Sequence, residues 1–305
     1  MTRLRIALLP ALACLLATPP LTAQSPTHLT LGVYSFKKPT DVARDFAAAT
    51  NELGRLLTKE TGAPFQINLR VFKTYDECLD KFVAGEVDLV RFGPASYVLA
   101  KQRNDKVQLL VAEQEDGLKR CDGVIAVLSD SPIHKLEDLK GRTFAFGDEN
   151  STIGRFLSQA ALVNQGVHRE DLKDAKYLER HDKVFKAVEV GDFDAGAMHI
   201  ATFQDLNEKN QLRTIVTFKN VGKPWVARAG LEPRIVEATK RALCAMTSPE
   251  PLKALKVHGF QEATDEDFAM VREGMRTAER FEQPKAKGKA IPMPQPEAQP
   301  KPGKD

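Results

Sequence analysis

The 305-residue chain has only four cysteines, six histidines and one tryptophan. No Cys-x-x-Cys pair and no Gly-x-Ser-x-Gly elbow occurs, and the histidines do not have the close spacing of a metal site. These absences argue against a zinc ribbon, a thiol-disulfide oxidoreductase and a serine hydrolase. The sequence therefore predicts no metal, no cofactor and no pairing of a nucleophile with a base.

Long apolar runs are missing beyond the first residues of the chain. Arg3 and Arg5 precede an apolar run at 6–17, and small residues around Ala23 offer a cleavage point. This arrangement is typical of a secretory signal peptide at 1–23. Cys14 lies early in the run in a poor lipid-attachment context, so soluble export to the periplasm is preferred over a lipid anchor. An odd number of cysteines remains after processing, which predicts at least one free thiol.

Excess positive charge is absent from the body of the chain. The formal net charge is +3, but the signal peptide and the lysine-rich tail at 283–305 carry all of this excess. The remainder lies near −2, which argues against binding of nucleic acid. The tail also holds six prolines and no aromatic residue, so we expect it to be disordered.

Strands alternate with helices in two successive series, at 29–112 and 124–218. This alternation is typical of an α/β protein with mostly parallel sheets. A strand at 225–228 is predicted to return to the first series. Three helices follow, near 233–246, 249–258 and 265–278.

The two series repeat one another at a constant offset. Residues 75–88 match residues 181–194 in pattern and without a gap, each as a helix, a turn and a buried strand. Two related lobes would enclose a cleft, and open α/β sheets bind ligands at the carboxyl ends of their strands. The loops at 92–97 and 148–154 should then face each other.

A capped helix follows the predicted strand at 143–146. Asn150 and Ser151 are candidate caps, and apolar residues recur on one face until Gly166 ends the helix. Unpaired N–H groups and two hydroxyls at such a helix start suit a small oxyanion. An ordinary capped helix remains the alternative. No P-loop lysine follows, so a nucleoside triphosphate is not expected.

Three stretches carry a family resemblance: VDLVRFGPASYVLA at 87–100, LKGRTFAFGDENSTIG at 139–154 and RHDKVFKAVEVGDFDAGAM at 180–198. Together with the opening LTLGVYSF they resemble the phosphate, phosphite and phosphonate binding proteins of bacterial ABC importers. The resemblance implies a two-lobed type II periplasmic binding fold with a hinge, an interlobe cleft and no catalysis. Lobe 1 would comprise 24–116 and 222–282, and lobe 2 would comprise 117–221.

The resemblance also implies contacts to the ligand. Ser151 and Thr152 match a hydroxyl and N–H cradle for an oxyanion, Tyr97 an aromatic at the opposite lip, and His181 a ring that donates to an anion oxygen. Core packing for Tyr97 and a solvated position for His181 are the alternatives. The full set of candidate ligand-binding residues is Tyr34, Gly93, Ser96, Tyr97, Cys121, Asn150, Ser151, Thr152, His181 and His199.

Two departures from the family pattern affect the ligand and the role. His199 stands where relatives that bind aminoalkyl phosphonates tend to have a carboxylate, which makes such a ligand doubtful. Cys121 places a thiol near the cleft, similar to a subgroup of periplasmic arsenite-binding proteins that signal to a sensor kinase. The alternative for Cys121 is a small buried residue. The expected partners are therefore an ABC permease and ATPase or, in the sensing alternative, a kinase, with the protein itself a monomer.

The signal peptide is directly testable. Expression in a Gram-negative host should yield a periplasmic protein whose N-terminus, read by Edman degradation or mass spectrometry, follows Ala23. Recovery of a membrane-bound form acylated on Cys14 would contradict this prediction.

Overall fold

The computed structural model describes residues 25–115 and 117–283. The predicted signal peptide, and the predicted tail apart from Gln283, lie outside the described residues. Within the described ranges, no helix has the length and apolar character needed to cross a bilayer.

The described chain forms two mixed sheets, each covered by helices. Across the first sheet lie β11 (Gly259–Glu262), β4 (Gln108–Gln114), β10 (Pro224–Ala227), β3 (Leu89–Arg91), β1 (Thr27–Tyr34) and β2 (Phe65–Phe72). Across the second lie β7 (Asp174–Tyr177), β6 (Thr143–Phe146), β8 (Ala195–His199), β5 (Gly123–Leu128) and β9 (Leu212–Phe218). The helices are α1 (Pro39–Thr61), α2 (Tyr75–Val83), α3 (Pro94–Arg103), α4 (Ser158–Asn164), α5 (His181–Glu189), α6 (Ile200–Leu206), α7 (Pro233–Cys244), α8 (Pro249–Leu255) and α9 (Ala269–Ala278).

Most strands of each sheet run in one direction, as predicted. In the first sheet β1 pairs in parallel with β2 and β3, and in the second β6 pairs in parallel with β7 and β8. The strands that run against the others are β5, β10 and β11. Because β5 and β10 enter their sheets from the opposite lobe, they must run against strands that arrive through a helix.

Local sequence explains where the helices begin and end. Pro39 opens α1 and Gly62 closes it in the left-handed conformation, with φ of 73°. Val42, Leu53 and Leu57 lie on the buried face of the same helix, against the first sheet. Helical spacing of apolar residues therefore predicts this element almost to the residue.

Two antiparallel crossing segments join the lobes, one between β4 and β5 and the other between β9 and β10. The Glu113 N–H donates to the Lys223 carbonyl at 2.9 Å, and the Cys121 N–H donates to the Asn220 carbonyl at 3.0 Å. A Cβ on Gly222 would lie only 1.9 Å from the Glu113 carbonyl oxygen. Only glycine fits at this approach, which fixes the register of the two segments.

The C-terminal helix contacts both lobes. Phe268 and Val271 pack in the core that contains α2 and α3 of the first lobe. Phe281, just after α9, packs with Phe146 and other core residues of the second sheet. The lobe boundaries themselves stay a prediction.

Two details differ from the sequence expectation. β11 lies within a stretch predicted only as helix and loop, because four residues that pair at a sheet edge have too little periodicity to identify. The helix after Ser151 begins as a π-type turn over Thr152–Leu157 and becomes α-helical at Ser158.

Substitution of Gly222 by alanine tests the crossing segments. The new Cβ would force Glu113 and Gly222 apart, and we expect a loss of about 3 kcal/mol in the free energy of unfolding. Denaturant unfolding followed by circular dichroism measures this loss.

Gly230→Ala is the matched control. A Cβ there meets nothing nearer than 3.9 Å and is strained only by its φ of 73°, so about 1 kcal/mol should be lost. Equal losses for the two variants would contradict the proposed tight approach.

Candidate functional site

A cavity of about 570 Å³ lies between the two lobes. Its walls come from the ends of β1, β3 and β8, the start of α5, the segment before α4, the two crossing segments and the end of α8. Among the residues that line it are Tyr34, Tyr75, Arg91, Gly93, Glu113, Glu115, Cys121, Ser151, Thr152, His181, His199, Asp205, Asn220, Lys223, Lys253 and Lys256.

The lobes touch on both sides of the cavity. On one side the Ala95 N–H, at the start of α3, donates to Thr152 Oγ1 at 2.9 Å. On the other, Lys256 Nζ lies 3.3 Å from Asp205 Oδ2. A Cβ on Gly93 would lie 3.0 Å from the Tyr34 hydroxyl and 3.6 Å from Thr152 Oγ1. A side chain at position 93 would therefore contact Tyr34 of the first lobe and Thr152 of the second.

The loop between β6 and the following helical segment is held by its own backbone. The Gly147 N–H donates to the Gly154 carbonyl at 2.8 Å, and a Cβ on Gly147 would lie 2.9 Å from the Gly154 Cα. Ser151 caps the helical segment, because its Oγ accepts the Gly154 N–H at 2.9 Å. The predicted cap by Ser151 is confirmed.

Backbone N–H groups position the hydroxyls of Ser151 and Thr152. Each oxygen accepts one backbone N–H, from Gly154 and Ala95 respectively. Since a hydroxyl has one proton and two lone pairs, the Thr152 O–H remains available to an acceptor, while the Ser151 hydroxyl also hydrogen-bonds the Tyr75 side chain. Both side chains line the cavity, and their role as an oxyanion cradle stays a prediction.

Two tyrosines form the first-lobe wall opposite this loop. The rings of Tyr34 and Tyr75 lie 3.7 Å apart between centroids. Burial raises the pKa of Tyr75 to about 12, against the opposing effect of hydrogen bonds with the Tyr34 and Ser151 side chains. Tyr34 was among the predicted residues, and Tyr75 was identified only as the counterpart of His181 in the repeat.

Three residues that were predicted to contact the ligand do not line the cavity. The Tyr97 ring is buried against Phe268, with centroids 4.7 Å apart, and its hydroxyl donates to Asp265 at 2.8 Å. Ser96 is buried within α3. Asn150 neither caps the helical segment nor lines the cavity, and its Nδ2 lies 3.4 Å from Asp76 Oδ2.

The geometry of α3 explains why the predictions for Tyr97 and Ser96 are wrong. Gly93 and Pro94 at the start of the helix face the cleft. The next turn points into the first lobe, where Tyr97 fills the core. Tyr34 and Tyr75 line the cavity in the wall where the resemblance led us to expect Tyr97.

His199 and Cys121 form a pair in the wall of the cavity. His199 Nε2 lies 2.6 Å from Cys121 Sγ, and His199 Nδ1 accepts the Ala201 N–H at 3.0 Å. The second contact assigns the ring proton to Nε2, which therefore donates to the sulfur. Burial lowers the pKa of His199 to about 3 and raises that of Cys121 to about 12.

The same pair and Glu115 could be read as a metal site, because their three donor atoms lie within 4.8 Å of one another. A metal on His199 Nε2 would require the ring proton on Nδ1, where the Ala201 N–H already donates. The donor set therefore fits a hydrogen-bonded pair better than a coordination site, and the sequence prediction of no metal is retained as a prediction.

His181 opens α5 and lines the cavity. Its Nδ1 is buried and has no hydrogen-bond partner among the described residues. Burial and, to a smaller extent, the nearby charge of Lys223 lower the pKa of His181 to about 4. At neutral pH the ring is uncharged and one buried nitrogen is free to bind a ligand.

The sequence indicates Arg91 as a possible charge at the cleft, with an ion pair as the alternative, but it does not indicate Glu113 or Lys223 as cavity residues. Arg91 makes a bidentate pair with Glu113, whose Oε1 also accepts the Trp225 Nε1–H at 2.9 Å. Lys223, on the second crossing segment, is half-buried. The only signal was the charge of the residues themselves.

Comparison with known proteins identifies the family. A family model described as "ABC transporter, phosphonate, periplasmic substrate-binding protein" matches residues 32–268. The chain is 28% identical over 204 residues to a probable ABC transporter phosphite binding protein, PhnD1, of Prochlorococcus marinus, covering 62% of this chain and 68% of the relative. It is 28% identical over 248 residues to the phosphate-import protein PhnD of Mycolicibacterium smegmatis, covering 73% of this chain and 74% of the relative.

The fold has solved counterparts. The structure of the Prochlorococcus marinus PhnD1 in complex with methylphosphonate aligns with a TM-score of 0.69 and 23% sequence identity, covering 84% of this chain and all of the other. This likeness confirms the predicted two-lobed α/β architecture. The family works as the substrate-binding component of a transporter, with a small-molecule ligand and an ABC permease and ATPase as partners.

The family model matches most of the chain, and the structure has the cleft between two α/β lobes that such a protein requires. This chain belongs to the family of periplasmic substrate-binding proteins of phosphonate ABC transporters.

Proposed function

We propose that this protein captures a small oxyanion of the phosphate, phosphite or phosphonate class between its lobes and presents it to an ABC importer. The observation that carries the proposal is the pair of Ser151 and Thr152 hydroxyls in the interlobe cavity, each with its oxygen held by a backbone N–H. The Thr152 proton is available to an anion, and the Ser151 proton becomes available when the ligand replaces Tyr75 as its partner. The relatives described as phosphite binding and phosphate importing point to the same class.

The charge of the cavity supports an anionic ligand. Among the described residues that line it, the cationic side chains are Lys37, Arg91, Arg120, Lys223, Lys253 and Lys256, and the carboxylates are Asp45, Glu113, Glu115 and Asp205. The excess of cationic groups raises the local potential, which attracts an anion and strengthens its hydrogen bonds once the lobes close over it.

Binding of the anion would favour closure of the cleft, because both walls of the cavity carry side chains that can contact it. An anion that accepts from Ser151 on one lobe and lies against Tyr34 and Tyr75 on the other stabilises the closed arrangement relative to the open one. The closed surface is what we expect an ABC permease to recognise. We expect the protein to act as a monomer.

The sensing alternative, arsenite binding through Cys121 and signalling to a kinase, is not favoured. Burial raises the pKa of Cys121 to about 12 and leaves its thiol uncharged at neutral pH, whereas the thiolate is the soft ligand. The matched relatives are named as an ABC transporter phosphite binding protein and a phosphate-import protein, not as sensory proteins.

The first prediction concerns the hydroxyl cradle. Ser151→Ala removes a donor to a charged ligand, so we expect Kd for phosphate, phosphite or methylphosphonate, whichever binds, to rise about 10-fold to 100-fold. Isothermal titration calorimetry measures this change, with circular dichroism to verify folding.

Ser129→Ala is the matched control, because Ser129 is exposed just after β5, does not line the cavity, and its hydroxyl donates only to the Asn210 carbonyl among the described residues. Its Kd values should equal those of the unmodified protein. An unchanged Kd for Ser151→Ala would show that the oxyanion lies elsewhere.

The second prediction concerns pH. The pKa of His199 is about 3 in the folded protein, below the ordinary value of 6.5, so the unfolded chain binds more protons between these values. The stabilisation is fully present above pH 6.5 and is lost as pH falls. Between pH 7 and pH 5, we expect the unmodified protein to lose roughly 1–2 kcal/mol more unfolding free energy than His199→Asn.

Urea unfolding at the two pH values measures this difference. His28→Gln, at an exposed position on β1, serves as the control and should follow the unmodified protein. Identical pH dependence for His199→Asn and the unmodified protein would contradict the burial of a neutral His199.

A further inference from the structure

Lys223 places its side chain in the wall of the cavity from a rigid stretch of backbone. Its carbonyl accepts the Glu113 N–H at 2.9 Å, and the neighbouring Gly222 lies against Glu113 too closely to admit a side chain. The ammonium group therefore projects from a fixed point on the second crossing segment, at the end of the cavity where the lobes are joined.

Among the described residues, the Lys223 ammonium makes no ion pair and no hydrogen bond, whereas the nearby charges have partners or are weakened. Arg91 and Glu113 form a bidentate pair. Glu115 lies 4.0 Å from His199 Nε2, and burial raises the pKa of its carboxyl group while the charge of Lys223 lowers it. Among the described residues, Glu113 and Glu115 therefore act on the charge of Lys223 without forming an ion pair with it.

The other titratable groups at this end are uncharged. His181, His199 and Cys121 are all neutral at neutral pH, and the positive charge of Lys223 lowers the pKa of both histidines. The charge of Arg91, together with burial, lowers the pKa of Lys223 itself. An unpaired, half-buried cation is costly unless the ligand supplies its counter-charge.

The cavity is much larger than an inorganic oxyanion. Its volume of about 570 Å³ falls within the roughly 300–1,000 Å³ of clefts that hold organic ligands. In the proposed function the oxyanion lies at the helix start beside Ser151 and Thr152, which belong to the loop after β6. Lys223 lies on the crossing segment, so the two groups can contact different parts of one ligand.

We propose that Lys223 is a specificity-determining residue that binds an acidic or acceptor-rich group on the organic arm of a phosphonate, and that it excludes phosphonates whose arm ends in an ammonium. The inference rests on the proposed function and extends it to a substrate class, the phosphonates with a second anionic group. A carboxylate on the arm would give Lys223 the charge-assisted hydrogen bond that the protein does not provide.

The test is a calorimetric comparison of phosphonoacetate, methylphosphonate, 2-aminoethylphosphonate and inorganic phosphate. With the unmodified protein, phosphonoacetate should bind at least about 10-fold more tightly than methylphosphonate, and 2-aminoethylphosphonate about 10-fold more weakly. Lys223→Gln should reduce both differences to about 3-fold or less, with little change for methylphosphonate. Lys223→Glu should reverse the order, so that 2-aminoethylphosphonate binds more tightly than phosphonoacetate.

Lys59→Gln is the control, because Lys59 is exposed in the last turn of α1, does not line the cavity and should leave the order of ligands unchanged. Equal affinity for phosphonoacetate and methylphosphonate, or a uniform loss for all ligands in Lys223→Gln, would overturn the role of Lys223 while the proposed function stands. Failure of all four ligands to bind the unmodified protein would overturn both.

Discussion

The close approach of Gly222 to Glu113 is the constraint on which the rest of the structure depends. It pairs the two segments that cross between the lobes, and it holds Lys223 and Asn220 opposite Glu113 and Cys121. The Glu113 carboxylate also accepts hydrogen bonds from the side chains of Arg91 and Trp225. The crossing segments are therefore linked through Glu113 to two further strands of the first sheet. The base of the cavity is thus the most extensively bonded part of the cleft, and motion between the lobes should occur around it.

On the two sides of the cavity the lobes are joined by single polar contacts, in addition to the packing of the α9 region against both lobes. Thr152 accepts one N–H from Ala95, and Asp205 forms one exposed ion pair with Lys256. An exposed pair of this kind contributes about 0–1 kcal/mol, so the Asp205–Lys256 pair adds little to the closed arrangement. A ligand that bonds both walls can therefore determine whether the cleft is open or closed.

The sequence predicted what depends on local pattern, such as α1 with its Pro39 start and Gly62 end, and the return of β10 to the first sheet. The internal repeat and the family resemblance together predicted the two lobes and the cleft. The direction of Tyr97 was not predictable, because one turn of α3 separates residues at the cleft from residues in the core. The partners of Arg91 and the isolation of Lys223 depend on contacts between segments far apart in the chain, which periodicity does not report.

The central claim is that a single small oxyanion is held between the helix start at Ser151 and the opposite lobe. A crystal structure of the protein grown with methylphosphonate tests it most directly. The account predicts phosphonate oxygens at hydrogen-bonding distance, about 2.5–3.0 Å, from the hydroxyls of Ser151 and Thr152 inside a closed cleft. A ligand bound outside the interlobe cavity, or a cleft that stays empty when the ligand is in excess, would contradict it.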